Sequence, residues 1–425
     1  MKRAVRVAMA TLVVVMAGCT HRTAAGTPSG APAPGASGSG AAAPTALVVQ
    51  PDGATFRVTS VLSVAQAVTT GAGRRYQETS RVPGLLGKSP VSKLALTSAG
   101  DTVIATAPPD LTTGGEVKIK QNTVSLLGPG GRRDLSLPPV RGAAPRQAIY
   151  AAARGDAVAW LETPSTDLYG GDWSVFAATG GTTRLLGTSS GVAPGGHVPA
   201  PPGSAAPVLG DEFAYWPTAV PAGRKDQFGL AIAGRRLDGT GPMRIVVRDA
   251  GRPAADGKNL YYVRTTMFAP AFAENRYEIR LVDATGADRV AAAGRLRKGE
   301  EVSALAADAG TVSWIVTSAD EEDEQARMYA WDAAANTAVQ VNLADRGLST
   351  EISASGRVLA WGNGSGNGDG GMYLLDLGAE PALFRLGEAQ GLSYAFVAGD
   401  HLAWSVMGDD PQDPAGNVLV VGRRL

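Results

Sequence analysis

Residues 155–160 read GDAVAW, residues 356–361 read GRVLAW and residues 399–404 read GDHLAW. Each hexapeptide starts at a glycine turn, continues as a short apolar strand and ends in a tryptophan. Related segments occupy residues 100–105, 210–216, 257–262 and 309–314. The aligned last positions are Ala105, Trp160, Tyr215, Tyr262, Trp314, Trp361 and Trp404, which recur every 43 to 55 residues. A regular recurrence of this kind indicates a chain built from repeated structural units.

A second pattern follows the first in most repeats. It is a strand, often with a tyrosine, then an aspartate turn and a further strand, as in residues 277–282 before Asp283 and residues 372–375 before Asp376. Asp, Asn and Gly supply the turn conformations that hairpins require. Each period therefore holds about four short strands, which predicts an all-β fold, the β-propeller, with one four-stranded blade per repeat.

Seven repeats predict seven blades, with six or eight as alternatives because residues 46–92 are loosely patterned. The last repeat, residues 392–425, is one strand short. We expect an N-terminal segment, residues 46–49 or 55–62, to supply that strand, so that paired N- and C-terminal strands close the ring without a free edge. The recurring tryptophans suit the wedge between adjacent sheets better than they suit ligand stacking.

These repeats resemble the TolB-like, WD-type propeller repeats of bacterial envelope proteins over residues 94–425. In that family the second strand is similar to V-A-W and the third to Y-x-x-D. Two repeats depart from the pattern, because Ala105 replaces an aromatic residue and an extra residue precedes Trp216. The resemblance implies the architecture rather than one activity, since the family includes scaffolds, partner-binding subunits and propeller domains attached to peptidases.

The N-terminus has the pattern of a secretion signal. Lys2, Arg3 and Arg6 precede an apolar core over residues 7–15, and small residues lead to Cys19, the single cysteine of the chain. An apolar core of this length is typical of a signal peptide and too short for a membrane-spanning helix. The end of the segment resembles the lipobox of bacterial lipoproteins, which implies that residues 1–18 are removed and that Cys19 is acylated.

Residues 20–44 contain no Val, Ile, Leu, Met or aromatic residue. Such an Ala-, Gly-, Pro- and Ser-rich stretch behaves as a flexible tether. We therefore expect a signal peptide over residues 1–18, a lipidated cysteine with its tether over residues 19–45, and a propeller domain over residues 46–425. The protein would lie at the extracytoplasmic face of the cell membrane, bound to the lipid bilayer through acylated Cys19.

The composition excludes several classes of protein. One cysteine and three histidines leave no basis for a disulfide framework or a Cys- or His-rich metal centre. The chain has 39 basic and 39 acidic side chains and no long basic run, which argues against nucleic-acid binding. We expect a monomer without a cofactor.

Acidic residues concentrate in the loops between the second and third strands of repeats five to seven. Such loops share one rim of a propeller, where function is often carried. They predict a rim that binds a cation, with Ca²⁺ as the candidate, or a basic partner, although solvated hairpin tips are the simpler interpretation. The residues are Asp320, Glu321, Glu322, Asp323, Glu324, Asp369, Asp409, Asp410 and Asp413.

Two motifs that resemble catalytic or nucleotide-binding signatures do not fit their expected context. Residues 187–191 match G-x-S-x-G, but a loop rich in Gly and Pro follows instead of a helix. Residues 366–371 match G-x-G-x-x-G but precede a strand. His401, beside Asp400, is better explained as a strand residue facing a neighbouring blade than as a catalytic base. His197 has no evident partner.

Three functions are consistent with this sequence. The one it favours is a lipid-anchored, non-enzymatic module that binds another envelope protein or acts as a scaffold. The second is binding of an envelope polysaccharide, peptide or small solute, for which Tyr169, Trp173 and Phe228 are exposed aromatic candidates. Trp173 begins a strand, so a place in the core is the alternative for it. The third is a metal-dependent propeller enzyme, which requires carboxylates that converge on the central channel.

Overall fold

The computed structural model describes residues 54–69, 75–106, 121–138, 144–164, 172–193, 198, 206–222, 228–265, 276–318, 326–343, 351–363, 371–388, 394–406, 408 and 414–425. All of them belong to one compact unit, Ala46–Leu425. The strands arrange in seven separate sheets, each with four or five strands. The protein is a seven-bladed, all-β propeller, as the repeats predict.

The described residues begin with a segment that precedes the first blade. We call this segment, residues 54–69 and 75–82, the strap. It consists of β1 (Arg57–Ser63), a 3-10 turn (Val64–Gln66), β2 (Val68–Thr69) and β3 (Tyr76–Val82).

The seven blades follow in chain order. Blade 1 contains β4 (Leu85–Leu86), β5 (Ser89–Leu96), β6 (Thr102–Thr106), β7 (Thr123–Gly128) and β8 (Gly131–Asp134). Blade 2 contains β9 (Gln147–Arg154), β10 (Ala157–Thr163), β11 (Ser174–Thr179) and β12 (Thr182–Thr188), and the short helix α1 (Ser189–Val192) follows it. Blade 3 contains β13 (Val208–Leu209), β14 (Phe213–Pro221), β15 (Phe228–Arg236) and β16 (Arg244–Arg248). Blade 4 contains β17 (Ala250–Asp256), β18 (Asn259–Arg264), β19 (Arg276–Val282) and β20 (Asp288–Arg295).

Blade 5 contains β21 (Glu300–Asp308), β22 (Thr311–Ser318), β23 (Ala326–Asp332) and β24 (Thr337–Leu343). Blade 6 contains β25 (Ile352–Ser355), β26 (Val358–Asn363), β27 (Gly371–Asp376) and β28 (Ala382–Glu388). Blade 7 contains β29 (Ala395–Ala398), β30 (His401–Val406) and β31 (Val418–Arg424), with a 3-10 turn at Pro414–Gly416. None of the helices in these described ranges is long and apolar enough to cross a membrane.

The seven inner strands, one from each blade, surround a central channel. Contacts run from β5 to β9, β13, β17, β21, β25 and β29 in turn, and β29 contacts β5 again. Within each blade the strands are antiparallel and follow one another outward. Because a single blade cannot bury both faces of its sheet, each interface between neighbouring blades holds one of the apolar clusters of the core.

The strap closes the ring, but by a different strand from the one that we predict from sequence. Strand β3 pairs antiparallel with β31 and becomes the outermost strand of blade 7. The candidate over residues 55–62 instead contains most of β1, which pairs parallel with β24 on the edge of blade 5. The other candidate, residues 46–49, lies outside the described residues. The prediction of the segment is therefore wrong, whereas the pairing of N- and C-terminal strands is confirmed.

The repeated tryptophans pack between blades, as predicted. Trp160 lies in the cluster shared with blade 1, Trp361 in the cluster shared with blade 5, and Trp404 in the cluster shared with blade 6. Trp160 and Trp361 are fully buried. In these blades the tryptophan that recurs in the repeat therefore faces the preceding blade, where it fills the wedge between two diverging sheets.

The sequence alignment of the repeats is wrong by one residue in two blades. In blade 1 Ile104, not Ala105, faces the preceding blade, and in blade 3 it is Trp216, not Tyr215. Ala105 and Tyr215 face the following blade instead. Successive side chains of a strand point to opposite faces, so a shift of one residue moves a side chain from one interface to the next.

Candidate functional site

The two ends of the channel differ in chemistry. We call the end where the inner strands begin the mouth, and the end where they finish the base. Since the strands of a blade alternate in direction, the loops between second and third strands also lie at the mouth. Two described residues at strand ends, Ser318 and Ala326, lie at the mouth. They flank the acidic segment of blade 5.

The base of the channel is held by contacts between blades. The Asp256 carboxylate of blade 4 accepts hydrogen bonds from the backbone N–H groups of Ala309 (2.9 Å) and Gly310 (2.7 Å) in blade 5. Asp308 of blade 5 accepts one from Gly356 of blade 6, at 2.6 Å. Each of these carboxylates ends an inner strand and receives the turn of the next blade, so they align neighbouring blades.

Arg154 connects blades that are not neighbours. It ends the inner strand of blade 2, and its guanidinium donates a hydrogen bond of 3.0 Å to Asp308 of blade 5. The same guanidinium lies 3.3 Å from the carboxylate of Asp211 in blade 3. Because blades 2 and 5 stand on different sides of the ring, this side chain crosses the channel and obstructs its base.

The mouth brings together five titratable side chains that we call the mouth cluster: Tyr150, Arg252, Glu301, Glu351 and Tyr394. They belong to the inner strands of blades 2, 4 and 5 and to the residues directly before the inner strands of blades 6 and 7. Side chains from five blades therefore act on one another electrostatically at one end of the channel.

Glu351 is the centre of the mouth cluster. Its side chain is exposed to solvent although protein surrounds it, as expected for a group in a water-filled channel. This environment raises the pKa of its carboxyl group through desolvation. No hydrogen bond or ion pair joins Glu351 to any of the described residues.

Two tyrosines experience the charge of Glu351. Burial and then the Glu351 carboxylate raise the pKa of Tyr150, which Arg252 lowers in part. Burial and then the same carboxylate raise the pKa of Tyr394 to about 12. Both rings are partly exposed, and that of Tyr394 stacks on Phe396 with 5.7 Å between centroids. Both phenols therefore stay neutral at physiological pH.

Arg252 is positioned by an irregular strand. The register of β17 shifts between Gly251 and Ala254, and Arg252 has φ of 51°, in the left-handed region that non-glycine residues seldom occupy. Bulges of this kind redirect side chains and are frequent beside functional sites. Burial lowers the pKa of Arg252, which Glu301 and then Tyr150 oppose.

Other carboxylates at the mouth are satisfied within their own blades. Glu300 is buried and accepts two hydrogen bonds from the Arg327 guanidinium and one of 2.6 Å from the backbone N–H of Arg297. Burial raises the pKa of Glu300, but these bonds outweigh it and leave the pKa lowered. Glu162 is buried and accepts a hydrogen bond of 2.8 Å from Trp160 Nε1. Both groups stabilise their blades through these bonds.

The candidate site residues of the sequence analysis are not placed by the structure. Cys19, Asp320, Glu321, Glu322, Asp323, Glu324, Asp369, Asp409, Asp410 and Asp413 all lie outside the described residues. Their roles in lipidation and in partner or cation binding stay predictions. His197 and Tyr169 also lie outside the described residues. Among the residues that are described, no group of three or more His, Cys, Asp or Glu side chains could hold a metal ion.

Three further residues from the sequence analysis have structural positions. His401 packs against blade 1, with 3.1 Å between its Nδ1 and the carbonyl oxygen of Ser98, which confirms a residue that faces a neighbouring blade. Ser189, the central residue of the G-x-S-x-G match, is completely buried and donates a hydrogen bond of 2.6 Å to Asp172. Trp173 is part of the core rather than an exposed aromatic.

Sequence reasoning missed Glu301 and Glu351, and expected the acidic residues to be peripheral to the channel. A signal was present, because both glutamates stand at the start of the first strand of a repeat, directly before Val302 and Ile352. The first strand of a propeller blade lines the channel. What the sequence does not reveal is that residues from five repeats come close enough to interact.

Charge is distributed unequally around the ring. Residues 299–425, which form blades 5 to 7, carry 19 acidic and 6 basic side chains. Residues 54–298, which form the strap and blades 1 to 4, carry 29 basic and 19 acidic side chains. The zero net charge of the whole chain conceals this separation. The blades that supply Glu301 and Glu351 are strongly acidic, so the local potential favours cations.

Solved structures with the same fold include enzymes and enzyme domains. Oligogalacturonate lyase from Vibrio parahaemolyticus superimposes with a TM-score of 0.50 and 8% identity over 82% of this chain and 96% of that chain. The similarity is one of fold. Acylaminoacyl peptidase from Pyrococcus horikoshii has a TM-score of 0.47 and 9% identity over 79% of this chain and 52% of that chain. The β-propeller domain of the Trilobed protease from Pyrococcus furiosus has a TM-score of 0.38 and 11% identity over 52% and 70%.

No protein-family model and no curated protein matches the sequence.

Proposed function

We propose that this protein is a lipid-anchored, non-enzymatic propeller of the cell envelope that binds a protein partner at the mouth of its channel. The observation that carries the proposal is the cluster of titratable side chains at the mouth, to which five blades contribute. Its member Glu351 has no hydrogen bond or ion pair to the described residues. A rigid ring that holds polar side chains at one end of a channel is suited to recognition of a ligand.

The described residues begin at the strap, where Thr55 and Phe56 contact blades 4 and 5. The lipid anchor rests on the signal segment and Cys19, and it is tested by release of a Cys19→Ala variant from the membrane fraction.

Site-specific photo-crosslinking in the native host tests the partner. A photoreactive phenylalanine analogue replaces Tyr394 at the mouth, and in a matched variant it replaces Val290 on the outer strand of blade 4, where the side chain is 37% exposed. We expect the mouth position to crosslink one protein that the outer position does not. Identical products from both positions, or none from the mouth, would contradict a protein partner there.

The alternative ligand is a peptide or small solute that enters the channel. Two partly exposed tyrosines beside a carboxylate favour it, because such groups bind small polar ligands without a second protein surface. A ligand that binds only the folded state raises the melting temperature in proportion to its concentration relative to Kd. A rise with a small ligand, together with an absence of mouth crosslinks to protein, would favour this alternative.

A further inference from the structure

We propose that a basic surface on blade 4 binds the phosphate groups of anionic lipids in the membrane. We call this surface the basic corner; its residues are Arg264, Arg276, Arg295, Arg297 and Lys298, all of which are exposed. The inference rests on the lipid anchor of the proposed function, and it adds a second contact with the membrane that the folded domain itself makes.

The first argument is the register of the two outer strands of blade 4. Arg276, the first residue of β19, is paired with Arg295, the last residue of β20. The residue after Arg276 is Tyr277, which packs against Trp314 of blade 5. Since alternate residues of a strand point to opposite faces, both arginines extend from the other face of the sheet, with their Cβ atoms about 5 Å apart. Like charges directly opposite one another are destabilising, and an anion bound between them removes that cost.

The second argument is the charge around this pair. Glu278, the next residue on the same face of β19, accepts a hydrogen bond of 3.1 Å from Arg280 and lies 3.7 Å from Arg264. Its single charge is therefore shared between two other arginines. Asp283 and Asp288 lie at the opposite end of the blade, around the turn between β19 and β20.

The sequence gives the same balance when every residue is counted. Residues 264–299 carry seven basic and four acidic side chains, and this count includes Glu274, which lies outside the described residues. The five cations of the basic corner thus exceed Glu274 and Glu278, the two acidic residues near them in the chain. The end of blade 4 at the mouth therefore has a positive potential.

The third argument is the place where the described chain begins. The backbone N–H of Thr55 donates to the carbonyl oxygen of Ala293 (3.1 Å), and the N–H of Ala293 donates to Thr55 Oγ1 (3.0 Å). Ala293 is two residues before Arg295, which is about 7 Å along the strand. Only 35 residues lie between Thr55 and Cys19, the predicted site of acylation. An acylated Cys19 would keep the basic corner near the lipid surface, where a linked second contact gains from a high effective concentration.

The chemistry of the corner selects phosphate. Guanidinium groups bind phosphate through two parallel hydrogen bonds, which a single ammonium cannot make. Five cations at the end of one blade suit a surface that presents many phosphates, and a bilayer with anionic lipids is such a surface. The basic corner is thus complementary to the membrane in which the anchor is predicted to lie.

Vesicle flotation tests the proposal on the full-length chain with Cys19→Ala, which cannot be acylated. The vesicles contain phosphatidylcholine alone or phosphatidylcholine with about 30% phosphatidylglycerol. We expect the anionic vesicles to bind at least fivefold more protein, and this preference to fall as ionic strength rises. Equal binding to the two kinds of vesicle would overturn the proposal.

Paired substitutions in this Cys19→Ala protein assign the binding to the basic corner. Arg276→Gln with Arg295→Gln should remove most of the preference for anionic vesicles. Arg133→Gln with Arg184→Gln removes the same charge from exposed positions on the outer strands of blades 1 and 2, and should leave the preference unchanged. Lysine at positions 276 and 295 keeps the charge and should keep part of the preference. A glutamine pair at these positions with unaltered thermal unfolding and unaltered vesicle preference would refute the site.

Two further measurements separate the lipid surface from a free anion and from the anchor. If inorganic phosphate at about 1 mM and constant ionic strength displaces the protein from anionic vesicles, the arginine pair binds a free anion and the lipid assignment is wrong; undiminished binding supports it. A high-salt wash should release the Cys19→Ala protein from host membranes but not the acylated wild type. Release of the wild type as well would contradict the lipid anchor and leave the vesicle preference standing. An anchored wild type whose Cys19→Ala form shows no vesicle preference would contradict the basic corner alone.

Discussion

Arg154 and Asp308 join two blades that are not neighbours in the ring. The guanidinium of Arg154, at the end of β9, donates a hydrogen bond of 3.0 Å to Asp308, at the end of β21. About a third of the Arg154 side chain and a quarter of the Asp308 side chain remain exposed, so the pair is partly shielded from solvent. Contacts between adjacent blades align neighbours, whereas this pair connects two inner strands across the channel.

Removal of the Arg154 side chain should destabilise the ring without unfolding it. Arg154→Ala removes a charge-assisted hydrogen bond and an ion pair, and we expect a loss of about 1–2 kcal/mol in the free energy of unfolding. Denaturant unfolding measures it, with a double-mutant cycle to Asp308→Asn that isolates the pair. Arg236→Ala, which breaks exposed ion pairs on blade 3, is the control and should have little effect. Equal unfolding free energies of Arg154→Ala and the wild type would show that the hydrogen bond between Arg154 and Asp308 does not stabilise the ring.

The strap is expected to depend on one aromatic anchor. Phe56 is 1% exposed, and its ring meets those of Trp314 and Tyr329 edge-on, at 5.3 and 5.4 Å between centroids. Phe56→Ala should cost about 3–5 kcal/mol. It should also make the strap more sensitive to proteolysis, because β1 would lose its fixed end. Val61→Ala, at a 36% exposed position of the same strand, should change stability by about 0.5 kcal/mol or less.

The stability of the protein should depend on pH because the ammonium group of Lys93 is buried. Lys93 is 2% exposed, and its ammonium donates to the carbonyl oxygen (2.7 Å) and the Oδ1 atom (3.3 Å) of Asn417 in blade 7. Desolvation lowers the pKa of Lys93 from 10.5 to about 8. The folded protein therefore binds this proton less tightly than the unfolded chain. The resulting cost is fully present below about pH 8 and disappears as the pH rises to 10.5.

Lys93→Met removes this pH-dependent cost. Between pH 8 and pH 10.5 the wild type should gain up to about 3 kcal/mol in unfolding free energy relative to the variant. Parallel denaturation curves at several pH values measure the gain. Lys88→Met, at an exposed turn, should show no such trend. A constant difference between the wild type and Lys93→Met across this range would contradict a buried ammonium.

Glu351 should lower the stability of the protein when its carboxyl group is charged. Its raised pKa means that the folded protein holds the carboxyl proton more tightly than the unfolded chain does. The cost of the charged form is therefore present above the folded-state pKa, and it vanishes as the pH falls below the ordinary range of glutamate. We expect Glu351→Gln to be slightly more stable than the wild type at pH 7 and equally stable at low pH, which thermal unfolding at both pH values measures. Tyr150 and Tyr394, whose phenols respond to the charge of Glu351, are unchanged in both proteins, and Glu380→Gln is the matched control.

Much of the architecture could be predicted from residues that repeat. A glycine turn followed by an apolar strand recurs in seven copies. The packing of the tryptophans in these copies, such as Trp160 and Trp361, depends only on their own blade and its neighbour. The predicted register is wrong at Ala105 and Tyr215 because both strands are apolar on both faces. A strand buried on both sides carries no alternation of polar and apolar residues from which its register can be inferred.

The choice of closing strand could not be predicted in the same way. Residues 55–62 and Tyr76–Val82 are both short, strand-like segments, and either could pair with an edge. Phe56 decides between them, because its ring enters the interface of blades 4 and 5 and places β1 on blade 5. Strand β3 follows β1 in the chain and pairs with β31 in blade 7. This outcome depends on a contact between residues about 260 positions apart in the chain, Phe56 and Trp314.

The class of fold, seven blades as the favoured number and the packing role of the repeated tryptophans all follow from the sequence, because each repeat folds through local turns and contacts with the next repeat. The mouth cluster and the Arg154–Asp308 crossing were decided by the tertiary structure alone. Their members come from different blades, and closure of the ring brings them within electrostatic range around one axis. Glu351 lies beside an ordinary strand in the sequence, and its charge affects Tyr150 of blade 2 and Tyr394 of blade 7 only because the ring brings these blades around one axis.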